Sequence, residues 1–503
     1  MNTVQNRIVR SLQNKEFFWT VEMVISAKHL QDAEIVVLDD FVNELASRPE
    51  VAGFSLTDRV ASDTDPSPVD LSEHVAGQTR MQPLLHWSGK DRDIRDLRAS
   101  LEQFRERGVE NVLFLTGDKL KSPPAGRRPR YLESVAAIQL AREVLPGLFI
   151  AAALNPFKYC EEESMAQYLK LGKKIAAGAD CIITQIGFDL VKHEEAMYWM
   201  HAQDCRVHAI ANVMALSAVR ARYIRKHQLA GVTITDSFME LLERDEAVLG
   251  KEQAERRVMR RLALQIQAIK YLDYAGVQLT GLHSVQRLKI LKSAVDAVRI
   301  EITDRLTWNE AWREVMRLPG NHARNSAHSA PRGGWYLTHK DRQKHTFVTL
   351  KDLLQYRVME KAHRYIFEQG PLAGLLARVI GNVERFSRRD KLLLKLERGI
   401  KAPLFGCETC GMCRLAVTQY ICPETCPKGL ANGACGGTTM NRCEYGDREC
   451  IHSRKYRVAR NNRILYQLEK WLIPAVPEKW RNSSSWPPYL RKEAPKIRQQ
   501  GRL

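Results

Sequence analysis

The chain has 503 residues, 44% of them hydrophobic and 27% charged, with 77 Lys and Arg against 58 Asp and Glu for a net charge of +19. This length exceeds what one hydrophobic core usually organises, so one large domain and at least one smaller one are expected. No run of about 18 or more apolar residues marks a membrane span, and the polar residues after Met1 do not form a secretory leader, so the expectation is a protein of the reducing cytoplasm.

From Phe17 to about Val298, short β-rich apolar runs alternate with longer amphipathic stretches, as when parallel strands are joined by helical crossovers. Eight strands are expected: Phe17–Ile25, Val51–Thr57, Arg80–Trp87, Asn111–Thr116, Leu148–Leu154, Asp180–Gln185, Arg206–Ile210 and Val277–Leu282. Helices between them include Asp91–Arg107, Glu161–Ala177 and Glu252–Tyr274. Eight such units over roughly 280 residues match a (β/α)8 TIM barrel. The alternative, a doubly wound open sheet, would be favoured by a glycine-rich dinucleotide loop, and the sequence contains neither G-x-G-x-x-G nor G-x-x-x-x-G-K-[ST].

The expected organisation is a barrel over 1–317, a linker over 318–346, a helical connector over 347–400, a small cysteine-rich metal-binding domain over 401–460 and a basic tail over 461–503. The connector reads as two helices, Leu350–Glu368 and Leu372–Arg398, parted by Gly370-Pro371. From Ile451 to Leu503 there are 13 Lys and Arg against 3 Asp and Glu. Such a segment suits an acidic partner, an anionic surface or plain solvation, and its interleaved Trp471, Trp480, Trp486 and Tyr489 suit packing along its own protein; a nucleic-acid partner is not expected.

Eight of the eleven cysteines fall within 44 residues: Cys407, Cys410, Cys413, Cys422, Cys426, Cys435, Cys443 and Cys450. Thiolates two or three residues apart converge readily on one centre, and soft sulfur selects zinc or iron–sulfur clusters. Spacing of i, i+3 and i+6 with a distant fourth resembles the ligand run of cubane clusters. The eight thiols supply two four-ligand sites, or one site plus free cysteines; zinc is the rival metal, and a disulfide framework is disfavoured. Cys160, Cys181 and Cys205 read as packing residues.

In a barrel of this kind, chemistry sits at the C-terminal strand ends. The polar residues there are Glu22, Thr57, His86, Asp118, Asn155 and Gln185. A carboxyl group among apolar neighbours, as Glu22 would be, has its charged form disfavoured and can serve as a general acid.

The first 300 or so residues resemble the methylenetetrahydrofolate reductase family on Glu22, His86, the turn Leu-Thr-Gly-Asp118, Lys174 in Lys-Lys-Ile-Ala-Ala-Gly-Ala, and Ile-Thr-Gln185. The resemblance implies FAD in the barrel mouth, contacted by Thr57, His86, Asp118, Asn155 and Lys174. It also implies three catalytic residues: Glu22 as general acid, Asp118 stabilising the cationic iminium form of the folate, and Gln185 orienting the pterin. The activity implied is interconversion of 5,10-methylene- and 5-methyltetrahydrofolate, with NAD(P)H or an electron-transfer protein as donor, in one-carbon metabolism and methionine biosynthesis. Several positions depart from the family pattern: Thr116 replaces an Arg, Asn155 replaces an FAD-contacting Tyr, and Gln167 and Lys170 occupy two further flavin-side positions. The run Cys422-Pro-Glu-Thr-Cys426 through Cys435-Gly-Gly is similar to the cysteine-rich domain that accompanies such reductases, elsewhere commonly a separate subunit. A flavin in the neighbouring mouth would give a cluster its electron acceptor, which favours a 4Fe–4S centre over zinc. The alternatives are a catalytically altered barrel acting as a metal-stabilised binding protein and a zinc-thiolate methyl-transfer protein using folate. A homo-oligomer is left open.

Overall fold

The computed structural model describes residues 4–24, 26, 32–60, 62–126, 128–282, 284–317, 347–368, 371–492 and 498–499. The expected linker over 318–346 and the end of the basic tail lie outside the described residues.

Eight parallel strands close into a barrel in sequence order: β1 Phe18–Met23, β2 Val51–Leu56, β3 Leu84–Ser88, β4 Asn111–Leu115, β5 Phe149–Leu154, β6 Cys181–Thr184, β7 His208–Met214 and β8 Gly276–Thr280. β1 pairs with both β2 and β8, with Val21 beside Phe54 on one side and Leu279 on the other. The strands are buried on nearly every residue, as parallel strands covered by helices must be. Cys181 lies inside the barrel core, Cys205 packs at its helical layer, and Cys160 is buried with its Sγ 3.8 Å from Met440 Sδ.

Among the described residues before 318 there are eleven α-helices: α1 Arg7–Gln13, α2 Asp32–Ala46, α3 Pro68–Thr79, α4 Ile94–Glu106, α5 Ser134–Val144, α6 Glu161–Ala176, α7 Leu190–Ala202, α8 Ala218–His227, α9 Asp236–Tyr271, α10 Val285–Glu301 and α11 Arg305–Val315. Their starts carry local signals. Asp93 and Asp96 form a capping box on α4, and Ser67 caps α3 with Pro68 in the first turn. α9 starts at a Thr235 cap and is broken at Gly250, whose φ is +77°, so that its second part, after the break, is the helix expected over Glu252–Tyr274.

Beyond the barrel lie α12 Leu350–His363, which ends in a π-helical turn over Arg364–Glu368, then α13 Pro371–Val379 and α14 Arg388–Phe405. The single helix expected over Leu372–Arg398 is therefore two. Gly381 ends the first, where a Cβ would stand 2.2 Å from the Ala377 carbonyl oxygen, and Ser387 caps the second by accepting from the Asp390 N–H. α14 runs through Pro403 to Gly406, and the cysteine-rich segment that follows is mostly turns, ending at α15 Ile451–Asn461. α15 packs on α6 of the barrel. The basic tail does pack back: Ser484 and Ser485 donate to the buried Glu397 carboxylate of α14, and Asn432 exchanges hydrogen bonds with the Ile473 backbone. No helix among the described residues is long and apolar enough to cross a membrane.

Candidate active site at the barrel mouth

The C-terminal strand ends surround a cavity of about 240 Å³. Glu22, Thr57, His86, Asp118, Asn155, Lys174 and Gln185 all line it, so the expected site residues converge from β1 to β6 and the segments that follow them. The far wall comes from residues some 300 positions away in sequence: Lys428, Cys435, Gly436, Gly437 and Glu444 of the cysteine-rich segment.

Glu22 projects from β1 toward β8. Gln278 Nε2 donates to its Oε2 at 2.8 Å, and Thr280 and Asn212 also bond to the carboxyl group. Burial outweighs these hydrogen bonds and raises its pKa to about 7, so near neutral pH the group holds and releases a proton easily. Gln278 Oε1 is itself buried without a hydrogen-bond partner. Gln278, Asn212 and Thr280 escaped sequence reasoning: Gln278 and Thr280 fall inside the expected last strand, whereas Asn212 lies beyond the expected end of β7 at Ile210.

His86 is buried and shares a 2.6 Å hydrogen bond between Nε2 and Ser55 Oγ. Burial lowers its pKa to about 4, so the imidazole is neutral at physiological pH. Lys174 on α6 donates to the Ala153 carbonyl, and burial brings its pKa down to about 7, with the Lys170 ammonium adding to the shift. Gln185 donates to Ala230 O at 3.1 Å and accepts from Ile186 N–H at 2.9 Å, which fixes its amide plane.

Asp118 follows a turn whose Gly117 has φ of +86°. The residue is open to the cavity; desolvation by the packed protein around its carboxyl group, and then the nearby Glu444 carboxylate, raise its pKa against the pull of Lys428, Lys90 and Lys121. Lys428 is buried, pairs with Glu444 at 2.5 Å and donates to Gly117 O at 2.7 Å. The backbone of the Asp118 turn is thus held by the second domain.

The eight clustered cysteines form two sets. Cys407, Cys410, Cys413 and Cys422 surround one small cavity and are electrostatic neighbours. Cys426, Cys435, Cys443 and Cys450 influence one another in the same way. None of these eight is in a disulfide. Sulfur-only sets of four match a thiolate-held centre in number and chemistry. Among the described residues, however, no three His, Cys, Asp or Glu side chains stand where they could hold a metal ion.

A strand-end cavity with a near-neutral carboxylic acid, a fixed amide and a neutral imidazole defines a (β/α)8-barrel protein equipped for acid–base chemistry on a polar ligand. The chain belongs to the methylenetetrahydrofolate reductase family: the family model of that description matches residues 7–292, and one described as "Methylene-tetrahydrofolate reductase C terminal" matches residues 386–478. Among solved structures, it bears a distant likeness to an uncharacterized protein from Clostridium thermocellum that binds two copies of 5-methyl-5,6,7,8-tetrahydrofolic acid. That likeness has 12% identity, covers 59% of this chain and 99% of that one, and has a TM-score of 0.44.

The family is generally flavin-dependent, and the residues here can be tested against FAD. Thr57, His86 and Lys174 stand on the cavity as flavin-contacting positions require. Asn155, Gln167 and Lys170 do not stand free: their side-chain nitrogens donate to the carbonyls of Gly436, Cys435 and Gly433. An apolar cavity of about 150 Å³ accommodates benzene, so 240 Å³ at this open mouth has room for a fused ring system, while the ground beside it is taken by the three anchored carbonyls. FAD as a whole does not fit.

Proposed function

We propose that the chain interconverts 5,10-methylene- and 5-methyltetrahydrofolate at the barrel mouth, with Glu22 as the general acid. The observation that carries the reading is the Glu22 carboxyl group, brought to a pKa of about 7 at the edge of a cavity sized for a pterin. Reduction of the methylene form consumes two electrons and two protons. Opening of the five-membered ring needs a proton at the departing nitrogen, and an acid of near-neutral pKa supplies it while remaining partly protonated at working pH.

The other residues bind and orient. Gln185 uses one N–H and one oxygen lone pair on the backbone, leaving one of each for the pterin edge. Gln278 holds the acid in place through its Nε2 bond to Glu22 Oε2. Asp118, at the mouth, is placed to face the cationic iminium that ring opening produces. Neutral His86 contributes hydrogen bonding without adding a positive charge beside that cation.

We further propose that reducing equivalents enter through the cysteine-rich domain, since Cys435 belongs both to the second cysteine set and to the cavity wall. An iron–sulfur centre held by Cys426, Cys435, Cys443 and Cys450 would supply single electrons there. The test is anaerobic assay of the full chain with NADH, NADPH and a reduced low-potential electron carrier, following 5-methyltetrahydrofolate. Formation of product with any donor, abolished in Glu22→Gln, is the expected result; no product with all three removes the reductase reading.

A further inference from the structure

We infer that this barrel mouth excludes dinucleotides, because protein fills the ground that the outer half of FAD would need. The inference rests on the folate reading of the same cavity and adds what else the cavity can admit.

Two independent features coincide at the same residues. The three barrel positions that depart from the family's flavin contacts are Asn155, Gln167 and Lys170, and these hold the segment Gly433–Thr438. Asn155 Nδ2 donates to Gly436 O at 2.8 Å, Gln167 Nε2 to Cys435 O at 2.9 Å and Lys170 Nζ to Gly433 O at 3.2 Å. Lys158 adds bonds to Gly436 O, at 2.7 Å, and to Thr438 O. The tyrosine expected at position 155 would carry a ring into this space. Asparagine is short enough to let the chain pass and supplies the N–H that anchors it.

The fit is close. A Cβ at Gly433 would stand 2.7 Å from the Lys170 side chain, and one at Gly231, across the mouth, 2.4 Å from Gly436 O. Asn155, Lys158, Gln167 and Lys170 are all buried, each 5% exposed or less. Lifting the segment would take from Gln167 and Lys158 the acceptors named here, while Asn155 would keep Gly231 O and Lys170 would keep Glu133, and breaking four buried hydrogen-bonded contacts at once is unfavourable. The segment is a fixed wall of the site. A ligand of one fused ring can lie inside it; an adenylate half would have to displace it.

The experiment titrates the purified full chain, stripped of small molecules, with 5-methyltetrahydrofolate, FMN and FAD, and follows amide hydrogen exchange across residues 433–438. FMN carries the same ring as FAD without the adenylate. The expected result is saturable folate binding, FAD at least about tenfold weaker than FMN or absent, and exchange at 433–438 that is slow and unchanged by FAD. Tight FAD binding with faster exchange at 433–438 would overturn the inference, and so would FAD binding as strong as FMN with the segment still protected. Failure of folate to bind would instead remove the reading on which it rests, whatever the flavins do.

Discussion

Gln278 Nε2 donates to Glu22 Oε2 across 2.8 Å, so the last strand of the barrel holds the acid carried by the first. A hydrogen bond to a carboxylate favours its charged form, so this amide works against burial. Replacing Gln278 by Leu is expected to raise the Glu22 pKa above about 7. Because the acid acts when protonated, folate turnover should fall as pH rises through that value, and the Leu variant should carry the fall to higher pH. Glu22→Gln should lose about 10²- to 10⁴-fold in turnover and lose the alkaline limb, with folate binding little changed. A pH–rate profile that keeps this limb in Glu22→Gln would refute the assignment.

Gly117 allows the turn that presents Asp118. At φ of +86°, an added Cβ would come within 2.2 Å of Ser88 Oγ and 2.8 Å of Lys90 Cβ. Gly117→Ala is expected to cost about 1–3 kcal/mol of stability and to lower turnover through the displaced carboxylate. Thermal melting and steady-state assay together check this; an alanine variant with wild-type turnover would mean that the turn does not position Asp118.

Glu133 joins the two domains. It pairs with Lys170 at 2.8 Å and accepts from the Ala431 and Asn432 backbone N–H groups and from the Asn432 amide. Burial alone would raise its pKa, but the Lys170 ammonium and these donors together bring it below the ordinary 4.5. The folded state therefore gains stability above that value and loses it as pH falls through the lower, folded one. Glu133→Gln leaves Lys170 buried without its counter-charge and should cost about 3–5 kcal/mol at pH 7, while flattening the acid limb of the stability profile. Urea unfolding at several pH values measures both; an equal loss at every pH would show that the charge is not what matters.

The two cysteine sets predict separable contents. With anaerobic purification, Cys410→Ser should remove the iron and acid-labile sulfide of one centre, and Cys435→Ser those of the other. Only the second should impair electron delivery to folate. A single substitution that strips all metal, or stoichiometric zinc without sulfide, would overturn the assignment of two cluster-binding sets.

The barrel was legible because its strands are short, apolar and regularly spaced, and all eight lie where their β-rich runs predict to within a few residues. Glu22, Asp118 and Gln185 were legible as polar residues ending such runs. Lys428 and Glu444 were not, because nothing local marks them: each lies in a turn-rich segment, and the partners that give them meaning, Gly117 and Lys119, are more than 300 residues away in sequence. The break between α13 and α14 did leave a trace, in Gly381 and in the capping run from Ser387 to Asp390, which the apolar periodicity on either side outweighed.

One consequence follows from the wall that the cysteine-rich segment builds. Lys158, Lys170, Lys173 and Lys174 are all buried in the complete chain, and the carbonyls of the segment are acceptors for two of them. A barrel produced alone would open these lysines to water together with Glu133, Glu161 and Glu162, which the same domain covers. The second domain is therefore also a stopper that keeps the charged face of α6 out of water.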